Sequence, residues 1–422
     1  MSPSFDTRID TARRLDSLDP LRSFRERFHF PLHNGAPVIY FCGNSLGLQP
    51  VATAKAFETE LASWKDLAIG GYTRGAHPWL YYQQYAGPSL SRIMGASEQE
   101  LTVMNALTVN LHLMLLSFYR PTPQRFRIIM EAGAFPSDQY AVETLVRHHH
   151  LDPAETIIEI APRPGEKLIR EEDIVKAIGD HAETLALVLF GGINYYSGQL
   201  FDMKKITGAA HSVGALAGFD LAHVAGNVPV SLHDWQVDFA VWCSYKYLNA
   251  GPGAVAGIFV HEKWASDIQT HRLAGWWGND EKTRFRMEKG FVPKPNAGGW
   301  NISTAQVFNT VALNASLQLF DEAGMDVLRD KSRLLTAYLE FLLRQTSHLA
   351  FEIITPAEPD RRGAQLSLFF TEKGLDVYNK MIDNGIVVDY REPGVIRVAP
   401  APLYCSFEDV FRFYQILLTV TA

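Results

Sequence analysis

Short apolar runs alternate with amphipathic segments from about Gln99 to Ile258. We predict four of these runs as strands, because each is short, apolar and bounded by polar or glycine residues: Arg125–Met130, Thr184–Phe190, Ala215–Asp220 and Val237–Cys243. Strands that alternate with helices in this way are typical of a mostly parallel sheet covered by helices on both faces. The first part of the chain therefore predicts a large α/β domain.

The pattern changes from about Val307 onward. Apolar residues recur at helical spacing in Val307–Phe320 and Ser332–Arg344, and strand-like pieces follow at Phe351–Ile354 and Gln365–Phe370. This order of elements predicts a smaller α+β domain. The chain has no visible internal repeat or low-complexity stretch.

Composition excludes several classes of protein. The 422 residues are 47% hydrophobic, which is enough for a substantial core. The net charge of -7, without a long basic run, predicts no binding to nucleic acid or to an anionic membrane. Apolar runs such as Leu185–Phe190 are far shorter than the ~20 residues of a membrane-spanning helix.

The cysteines and the N-terminus bear on the compartment. The three cysteines, Cys42, Cys243 and Cys405, lie far apart and predict neither a disulfide framework nor a thiolate metal cluster. The segment Met1–Asp10 lacks the apolar core of a secretory signal. We therefore expect a cytoplasmic protein.

Lys246 is the first candidate for chemistry. It follows the apolar run of Val237–Cys243 and precedes the glycine-rich stretch at Gly251. A buried lysine is costly unless it is paired or does chemistry. Asp220 ends another apolar run, with His223 three residues further on, and ligands collect at the carboxyl ends of such strands. Lysine and acid together suit pyridoxal phosphate (PLP), which needs a lysine for covalent attachment and an acid at its ring nitrogen, although a structural ion pair fits the same two residues.

Two further segments suit a phosphorylated planar ligand. A helix that starts near Leu107 and Thr108 would offer free backbone N–H groups to a phosphate, although an ordinary N-capped core helix has the same pattern. Pro136 biases Phe135 toward an extended backbone, which can hold its aromatic ring against a ligand or simply anchor a loop. The histidines of His148–His150 point in different directions on a helix, so we predict an exposed helix end and no metal site.

Several longer blocks carry a resemblance to a known family. They are Tyr40–Pro50 (YFCGNSLGLQP), Met104–His112, Ala134–Asp138 (AFPSD), Asp220–Asn227 (DLAHVAGN), His233–Phe239, Trp242–Gly253 (WCSYKYLNAGPG) and Ile396–Pro400. In this order they resemble kynureninase, a family of fold-type-I PLP-dependent hydrolases, over nearly the whole chain.

The resemblance implies a fold and a domain organisation. The expected fold is α/β and fold-type-I PLP-dependent transferase-like, with a mostly parallel central sheet, helices on both faces and a smaller α+β domain. Residues 1–45 are expected to form an N-terminal arm that joins the small domain. Residues 46–306 would form the large PLP-binding domain, and residues 307–422 the small C-terminal domain.

The resemblance also implies an activity, the hydrolytic Cβ–Cγ cleavage of L-kynurenine to anthranilate and L-alanine, with 3-hydroxykynurenine as a second substrate. Such an enzyme, a hydrolase of carbon–carbon bonds in ketonic substances, serves tryptophan catabolism or NAD biosynthesis. An aminotransferase or a cysteine desulfurase shares the Asp–Lys pair and is the first alternative. A degenerate PLP fold that acts only as a binding or scaffold protein is the second.

Site residues follow from the same resemblance. Those expected to be catalytic are Lys246, Tyr245 and Asp220. Those expected to bind PLP are Leu107, Thr108, Phe135, Pro136, Ser137, Asp138, Asp220, His223, Tyr245, Lys246, Trp276 and Thr304. Those expected to bind substrate are Arg397, Asn44, Ser45 and Tyr72, although an isolated arginine is more often a solvated surface charge.

The resemblance further implies a homodimer, because Trp276 and Thr304 match positions that reach the cofactor from the neighbouring subunit. The chain departs from its relatives at three places. Gly191 stands where some relatives have a serine near the cofactor, and Tyr72 and Thr304 stand where animal relatives have histidine and asparagine beside the substrate ring. These changes bear on ring specificity and on one hydroxyl contact.

Overall fold

The computed structural model describes residues 4–346 and 351–421. Its helices are α1 (Ile9–Leu18), α2 (Ala52–Leu67), α3 (Gly87–Met94), α4 (Leu107–Phe118), α5 (Pro136–His148), α6 (Pro153–Thr156), α7 (Glu171–Asp180), α8 (Met203–Ser212), α9 (Glu262–Ala265), α10 (Val307–Ala323), α11 (Met325–Arg344), α12 (Gly374–Asp383) and α13 (Phe407–Thr421). Short 3₁₀ helices lie between them, including Trp79–Ala86 and Trp276–Gly278.

The strands form one large sheet, one smaller sheet and three two-stranded pairs. They are β1 (Phe28–His29), β2 (Leu32–His33), β3 (Ala36–Pro37), β4 (Ile39–Tyr40), β5 (Gln49–Pro50), β6 (Leu101–Val103), β7 (Arg127–Glu131), β8 (Ile157–Ile160), β9 (Leu185–Gly191), β10 (Leu216–Asp220), β11 (Phe239–Trp242), β12 (Gly257–Val260), β13 (Phe351–Ile353), β14 (Leu366–Phe370), β15 (Ile386–Val387), β16 (Asp389–Arg391) and β17 (Val395–Val398).

The large sheet has seven strands in the order β6-β12-β11-β10-β9-β7-β8. The pairings β8–β7, β7–β9, β9–β10 and β10–β11 are parallel, and only β12 runs antiparallel to its neighbours. The mostly parallel sheet that the sequence predicts is therefore present. Since the carboxyl ends of parallel strands meet at one edge, the residues that follow β7, β9, β10 and β11 lie together.

Helices cover both faces of this sheet, which explains why its strands are nearly continuous apolar runs. Alternate residues of β7 enter two separate cores: Ile128 and Met130 pack with apolar residues of α4 and α5, and Ile129 packs in the core that contains residues of α7 and α8. All three side chains are at most 2% exposed. The period of two along a strand thus places one core on each face.

Two predicted boundaries can be compared with the structure. The helix predicted to start near Leu107 and Thr108 begins at Leu107, because Asn105 has φ +50, a left-handed conformation that a helix cannot contain. The strand predicted as Arg125–Met130 starts two residues later and includes Glu131, whose carboxylate lies in the protein interior at 3% exposure. An acid that ends a strand therefore belongs to the sheet edge where the other chemistry lies.

The second sheet has four strands in the order β13-β14-β17-β16, and α11, α12 and α13 pack beside it. The N-terminal segment joins this part of the molecule: β4 pairs with β15, and α1 packs against α13. A buried ion pair of 2.6 Å between Asp19, just after α1, and Lys331 of α11 joins the N-terminal segment to the same part of the molecule. Among the described residues, every helix is too short or too polar to cross a membrane.

Candidate active site

The candidate site is a cavity at the carboxyl edge of the large sheet. Gly191 and Asp220 lie side by side at the ends of β9 and β10, and Lys246 follows the end of β11 by four residues. The cavity is lined by Leu107, Thr108, Glu131, Phe135, Ser137, Asp138, Gly191, Ile193, Tyr195, Asp220, Ala222, His223, Tyr245 and Lys246. The structure therefore gathers most of the residues predicted to bind PLP into one place.

Lys246 is buried, at 8% exposure, and its Nζ lies 3.0 Å from Nε2 of His223. Burial and the charge of Lys246 keep the pKa of His223 well below its usual value, so the imidazole is neutral and can accept a hydrogen bond from the lysine. Within the described residues, Lys246 forms no salt bridge with a carboxylate, Asp220 included. A structural Asp–Lys ion pair is thus not what this geometry shows.

Three buried carboxyl groups face the same cavity. Burial raises the pKa of Asp220, although its Oδ1 accepts a hydrogen bond of 2.7 Å from the N–H of Ala222. Burial and the neighbouring Asp220 raise the pKa of Asp138 well above its usual value, so Asp138 is the member of this pair that holds the proton. Burial likewise raises the pKa of Glu131 to about 7.

One end of the cavity is formed by the start of α4. Ala106, at the N-cap, makes no side-chain bond to the helix, so α4 is not the ordinary capped helix that the sequence left open. Leu107 and Thr108, the first residues of α4, line the cavity. Unpaired N–H groups and the positive end of the helix dipole favour an anion there.

Phe135 stands on another wall of the cavity. Its backbone is extended, with φ -56 and ψ 139, as the following proline predicts. The ring is 41% exposed, packs edge-to-face on Tyr195 at 5.3 Å and lies 5.8 Å from Nζ of Lys246. Its open face is thus available to a planar ligand next to the lysine.

Gly47, in the segment Tyr40–Pro50, packs closely against the loop that contains Lys246. Its N–H donates to the carbonyl of Tyr245 at 2.8 Å, and a Cβ at this position would lie 2.4 Å from the carbonyl oxygen of Lys246. Only glycine permits this approach. The contact holds the nearby Asn44 and Ser45 at a fixed distance from the cavity.

Arg397 is buried, at 2% exposure, so it is not the solvated surface charge that the sequence also allowed. Its Nε and Nη2 bind Asp389 at 3.0 and 2.8 Å, and its Nη1 donates to the carbonyl of Tyr195 at 2.9 Å. Ser45 completes the group, since its Oγ accepts from Arg397 and donates to Asp389. Asn44 is fully buried beside them and donates to Gln365, while its own Oδ1 has no hydrogen-bond partner among the described residues.

Comparison with known proteins identifies the family. The family model described as "Kynureninase C-terminal domain" matches residues 328–417. Proteins named kynureninase from Myxococcus xanthus and Koribacter versatilis are 51% and 48% identical to the chain, and each alignment covers 98% of this chain and 97% of the relative. The chain belongs to the kynureninase family. The resemblance stated from the motifs is thereby confirmed.

Solved structures agree with the fold. A cysteine desulfurase from Thermococcus onnurineus has a TM-score of 0.75 at 17% identity and covers 91% of this chain and 94% of its own. A C-DES mutant with glycine covalently linked to its PLP cofactor has a TM-score of 0.73 at 16% identity, with 90% and 96% covered. The predicted fold-type-I PLP-dependent α/β class is confirmed for this member of the kynureninase family.

Some predicted residues lie outside the cavity lining in the single chain: Pro136, Tyr72, Trp276, Thr304, Arg397, Asn44 and Ser45. Tyr72 packs edge-to-face on Trp79 at 5.5 Å. Trp276 is 45% exposed and packs edge-to-face on Phe285 at 5.6 Å. Arg397 is nevertheless linked to the cavity, because its partner Tyr195 lines it.

Sequence reasoning missed four lining residues, Glu131, Ile193, Tyr195 and Ala222. Glu131 closes an apolar run just as Asp220 does, so the rule that selected Asp220 could also have found it. Ile193 and Tyr195 lie in a loop after β9 and carry no comparable signal. Their position depends on contacts with the second sheet, as Arg397 shows.

Proposed function

We propose that this member of the kynureninase family is a PLP-dependent hydrolase that cleaves L-kynurenine to anthranilate and L-alanine. The observation that carries the proposal is Lys246, a buried lysine without a carboxylate partner among the described residues, in one cavity with Asp220 and the start of α4. The names of its relatives support the same reaction. We also propose that the enzyme acts in tryptophan catabolism and lies in the cytoplasm.

The residues present fit PLP. The start of α4, with the hydroxyl of Thr108, suits the phosphate, the open face of Phe135 suits the ring, and Asp220 suits the ring nitrogen. Among the described residues, two buried polar atoms of the cavity have no hydrogen-bond partner. They are Oδ1 of Asp138 and Nδ1 of His223, and the latter carries the proton of the neutral ring and can donate to a ligand or its water. Bound PLP supplies the electron sink for the reaction.

Each residue then has a chemical task. Lys246 would attach the cofactor and afterwards hold the substrate's α-proton on Nζ. Asp220 would keep a proton on the ring nitrogen, and Tyr245 would return a proton to Cβ as the Cβ–Cγ bond breaks. One water supplies the second oxygen of the new anthranilate carboxylate, whose first oxygen is the ketone oxygen of the substrate. One hydrogen equivalent of the water goes to Cβ of alanine, and the other leaves as a proton.

Arg397 is the proposed contact for the substrate α-carboxylate, with Asn44 and Ser45 beside it. Hydrogen bonds to Asp389 and to the carbonyl of Tyr195 fix the position and orientation of the guanidinium. A substrate carboxylate would therefore meet a donor that is already in place. The Oδ1 of Asn44, which has no partner in the part of the chain that the structure describes, is a further acceptor in this region.

A cysteine desulfurase is disfavoured by the state of the cysteines. Cys42, Cys243 and Cys405 are all buried. Burial raises the pKa of Cys42 to about 11 and also raises the pKa values of Cys243 and Cys405. A desulfurase needs an accessible thiolate, which these environments oppose.

Product analysis tests the proposal directly. Purified protein supplied with PLP and L-kynurenine should release anthranilate and L-alanine in equal amounts, measured by fluorescence and by chromatography. Pyruvate from alanine, or sulfide from cysteine, at a higher rate would instead favour an aminotransferase or a desulfurase. Absence of cofactor absorbance after loading would favour a non-enzymatic protein.

We also propose a homodimer in which each site is completed by the neighbouring subunit. Six large apolar side chains between residues 268 and 292 are exposed to solvent. They are Ile268, Leu273, Trp276, Phe285, Met287 and Val292. Such a concentration is typical of a protein contact. It agrees with the expectation that Trp276 and Thr304 act on the partner's cofactor.

Mixing two inactive variants should restore activity if the sites are shared. Lys246→Ala has an intact Trp276 loop, and Trp276→Ala has an intact lysine, so one site of each mixed dimer is complete. After subunit exchange, shown by differently tagged chains, we expect up to about half the wild-type activity per mixed dimer. Exchange without recovery would mean that Trp276 acts in its own subunit.

The proposed domain organisation keeps the boundaries 1–45, 46–306 and 307–422. The pairing of β4 with β15 and the packing of α1 on α13 support an arm that joins the small domain. Helix α10, at the start of the last unit, packs against α2 and so bridges the two larger units. The family model for the C-terminal domain starts later, at residue 328.

Tyr72 and Thr304 lead to a prediction about the substrate ring. A 3-hydroxyl group that enters a site without matching partners loses water hydrogen bonds, which costs about 1–3 kcal/mol. Plain L-kynurenine should therefore have the higher kcat/KM, by roughly fivefold or more. Both substrates are compared on one preparation, with Tyr72→His/Thr304→Asn as the matched variant. Equal values, or a preference for 3-hydroxykynurenine, would contradict the prediction and leave the reaction class intact.

A further inference from the structure

A loop of residues 191–198 connects the cavity to the arginine group. It starts at Gly191, the last residue of β9, and closes a turn in which the N–H of Gly198 donates to the carbonyl of Asn194 at 2.9 Å. Its middle, Tyr195, touches both regions: the ring lines the cavity, and the carbonyl binds Arg397. The loop thus determines where the guanidinium lies relative to the cavity.

Glu131, the last residue of β7, holds this loop through two hydrogen bonds. Its Oε1 accepts from the N–H of Gly191 at 3.0 Å, and its Oε2 accepts from Nδ2 of Asn194 at 2.8 Å. The side chain is 3% exposed and forms no salt bridge with a lysine or arginine among the described residues. Both carboxylate oxygens are therefore committed to the loop.

Asn194 can meet Glu131 in only one orientation. Its Oδ1 accepts from the N–H of Tyr196 at 3.1 Å, and from the N–H and the hydroxyl of Ser197 at 2.9 and 3.0 Å. Three donors fix this oxygen, so the NH₂ group must point at the carboxylate. A side chain at residue 131 that presents a hydrogen-bond donor in place of this acceptor would face the NH₂ group of Asn194 and lose the hydrogen bond.

Tyr195 carries the effect to the substrate-binding group. Its carbonyl accepts from Nη1 of Arg397 at 2.9 Å and from Nε2 of Gln365 at 3.1 Å. Its ring packs on Phe135, whose open face adjoins Lys246. A displaced loop would move the arginine partner and the aromatic wall together.

We propose that Glu131 is a positioning residue for substrate: through Asn194 it fixes Tyr195, and with it the guanidinium of Arg397. The inference rests on the proposed function and deepens it, because it names a residue that controls recognition of the α-carboxylate. In the proposed arrangement, Glu131 itself does not contact the substrate carboxylate.

Glu131→Gln tests the proposal, because glutamine keeps the size of the side chain but directs an NH₂ group at that of Asn194. KM for L-kynurenine should rise on the order of tenfold, the effect of about one hydrogen bond, with kcat changed much less. Cofactor absorbance and the thermal midpoint should stay near wild type.

A reciprocal exchange gives the decisive readout. In the double variant Glu131→Gln/Asn194→Asp, the glutamine NH₂ donates to an aspartate whose other oxygen still accepts from Tyr196 and Ser197. The pair keeps its total charge and its hydrogen bonds, so KM should return toward wild type. A KM that stays as high as in Glu131→Gln would overturn the proposal and show that the charge at residue 131 is what matters.

Glu100→Gln is the control for loss of a buried carboxylate elsewhere in the molecule. Glu100 is fully buried and accepts from two backbone N–H groups, at Ser97 and Glu262; unlike Glu131 it also pairs with the imidazole of His233 at 2.9 Å, and it lies outside the cavity lining. Its KM should equal that of the wild type. An unchanged KM in Glu131→Gln refutes the inference alone, whereas a wild-type protein that does not cleave L-kynurenine refutes the proposed function.

Discussion

Lys246→Ala should abolish turnover of L-kynurenine while the fold persists. The lysine is the proposed attachment point for PLP and the proposed carrier of the α-proton, and a positioned general base alone contributes about 10²–10⁴-fold. We therefore expect kcat to fall by roughly 10³-fold or more. The side chain is buried and forms no salt bridge with a carboxylate in the described part of the chain, so alanine breaks no ion pair, although it removes a positive charge that lowers the pKa of Asp220.

Two controls separate loss of chemistry from loss of structure. Lys263→Ala removes another lysine, one that pairs with Asp238 at 2.7 Å outside the cavity lining, and should keep wild-type turnover. Borohydride reduction of the loaded wild-type protein should fix the cofactor on the peptide that contains Lys246. Near-normal activity in Lys246→Ala, or a label on another lysine, would contradict the site assignment.

The strands of the large sheet were predictable because both of their faces are buried. A strand covered on two sides must be apolar at nearly every position, and Leu185–Gly191 and Phe239–Trp242 lie within one or two residues of their predicted positions. The edge chemistry followed from the same physics. Asp220 and Lys246 stand out because a charge at the end of an apolar run needs a reason.

Long-range partners could not be predicted. Arg397 owes its burial to Tyr195, which lies 202 residues earlier in the chain, and to Asp389 on the adjacent strand. No local pattern predicts either contact, so the residues alone favoured a solvated surface charge for Arg397. The motif resemblance selected Arg397 without explaining it, and the roles of Trp276 and Thr304 likewise depend on contacts beyond one chain.

Glu131 shows where local reasoning stopped too early. The rule that an acid ending an apolar run is informative applies to it as it does to Asp220. The sequence could not predict that the two acids have different partners. Glu131 accepts from Gly191 and Asn194, whereas Asp220 accepts from one backbone N–H among the described residues, that of Ala222. The difference arises from the loop after β9, whose course is set by the second sheet.

Asp220→Asn should greatly lower kcat for L-kynurenine. Asparagine keeps the shape of the side chain but removes the negative charge proposed to hold a proton on the cofactor's ring nitrogen. Removing one partner of a buried charge pair costs about 3 kcal/mol or more, so kcat should fall on the order of a hundredfold or further. Cofactor absorbance should persist, since the start of α4 and Lys246 are unchanged.

Asp138→Asn is the matched variant, and the two must differ if the charge assignment is right. Burial and the charge of Asp220 raise the pKa of Asp138 well above its usual value, so we expect a proton held by this pair to reside on Asp138. Asparagine resembles a protonated carboxyl group, and this variant should therefore keep kcat within about tenfold of wild type. Steady-state rates of both variants, at equal cofactor occupancy by absorbance, make the comparison. A larger loss in Asp138→Asn than in Asp220→Asn would reverse the assignment and make Asp138 the charged partner of the cofactor.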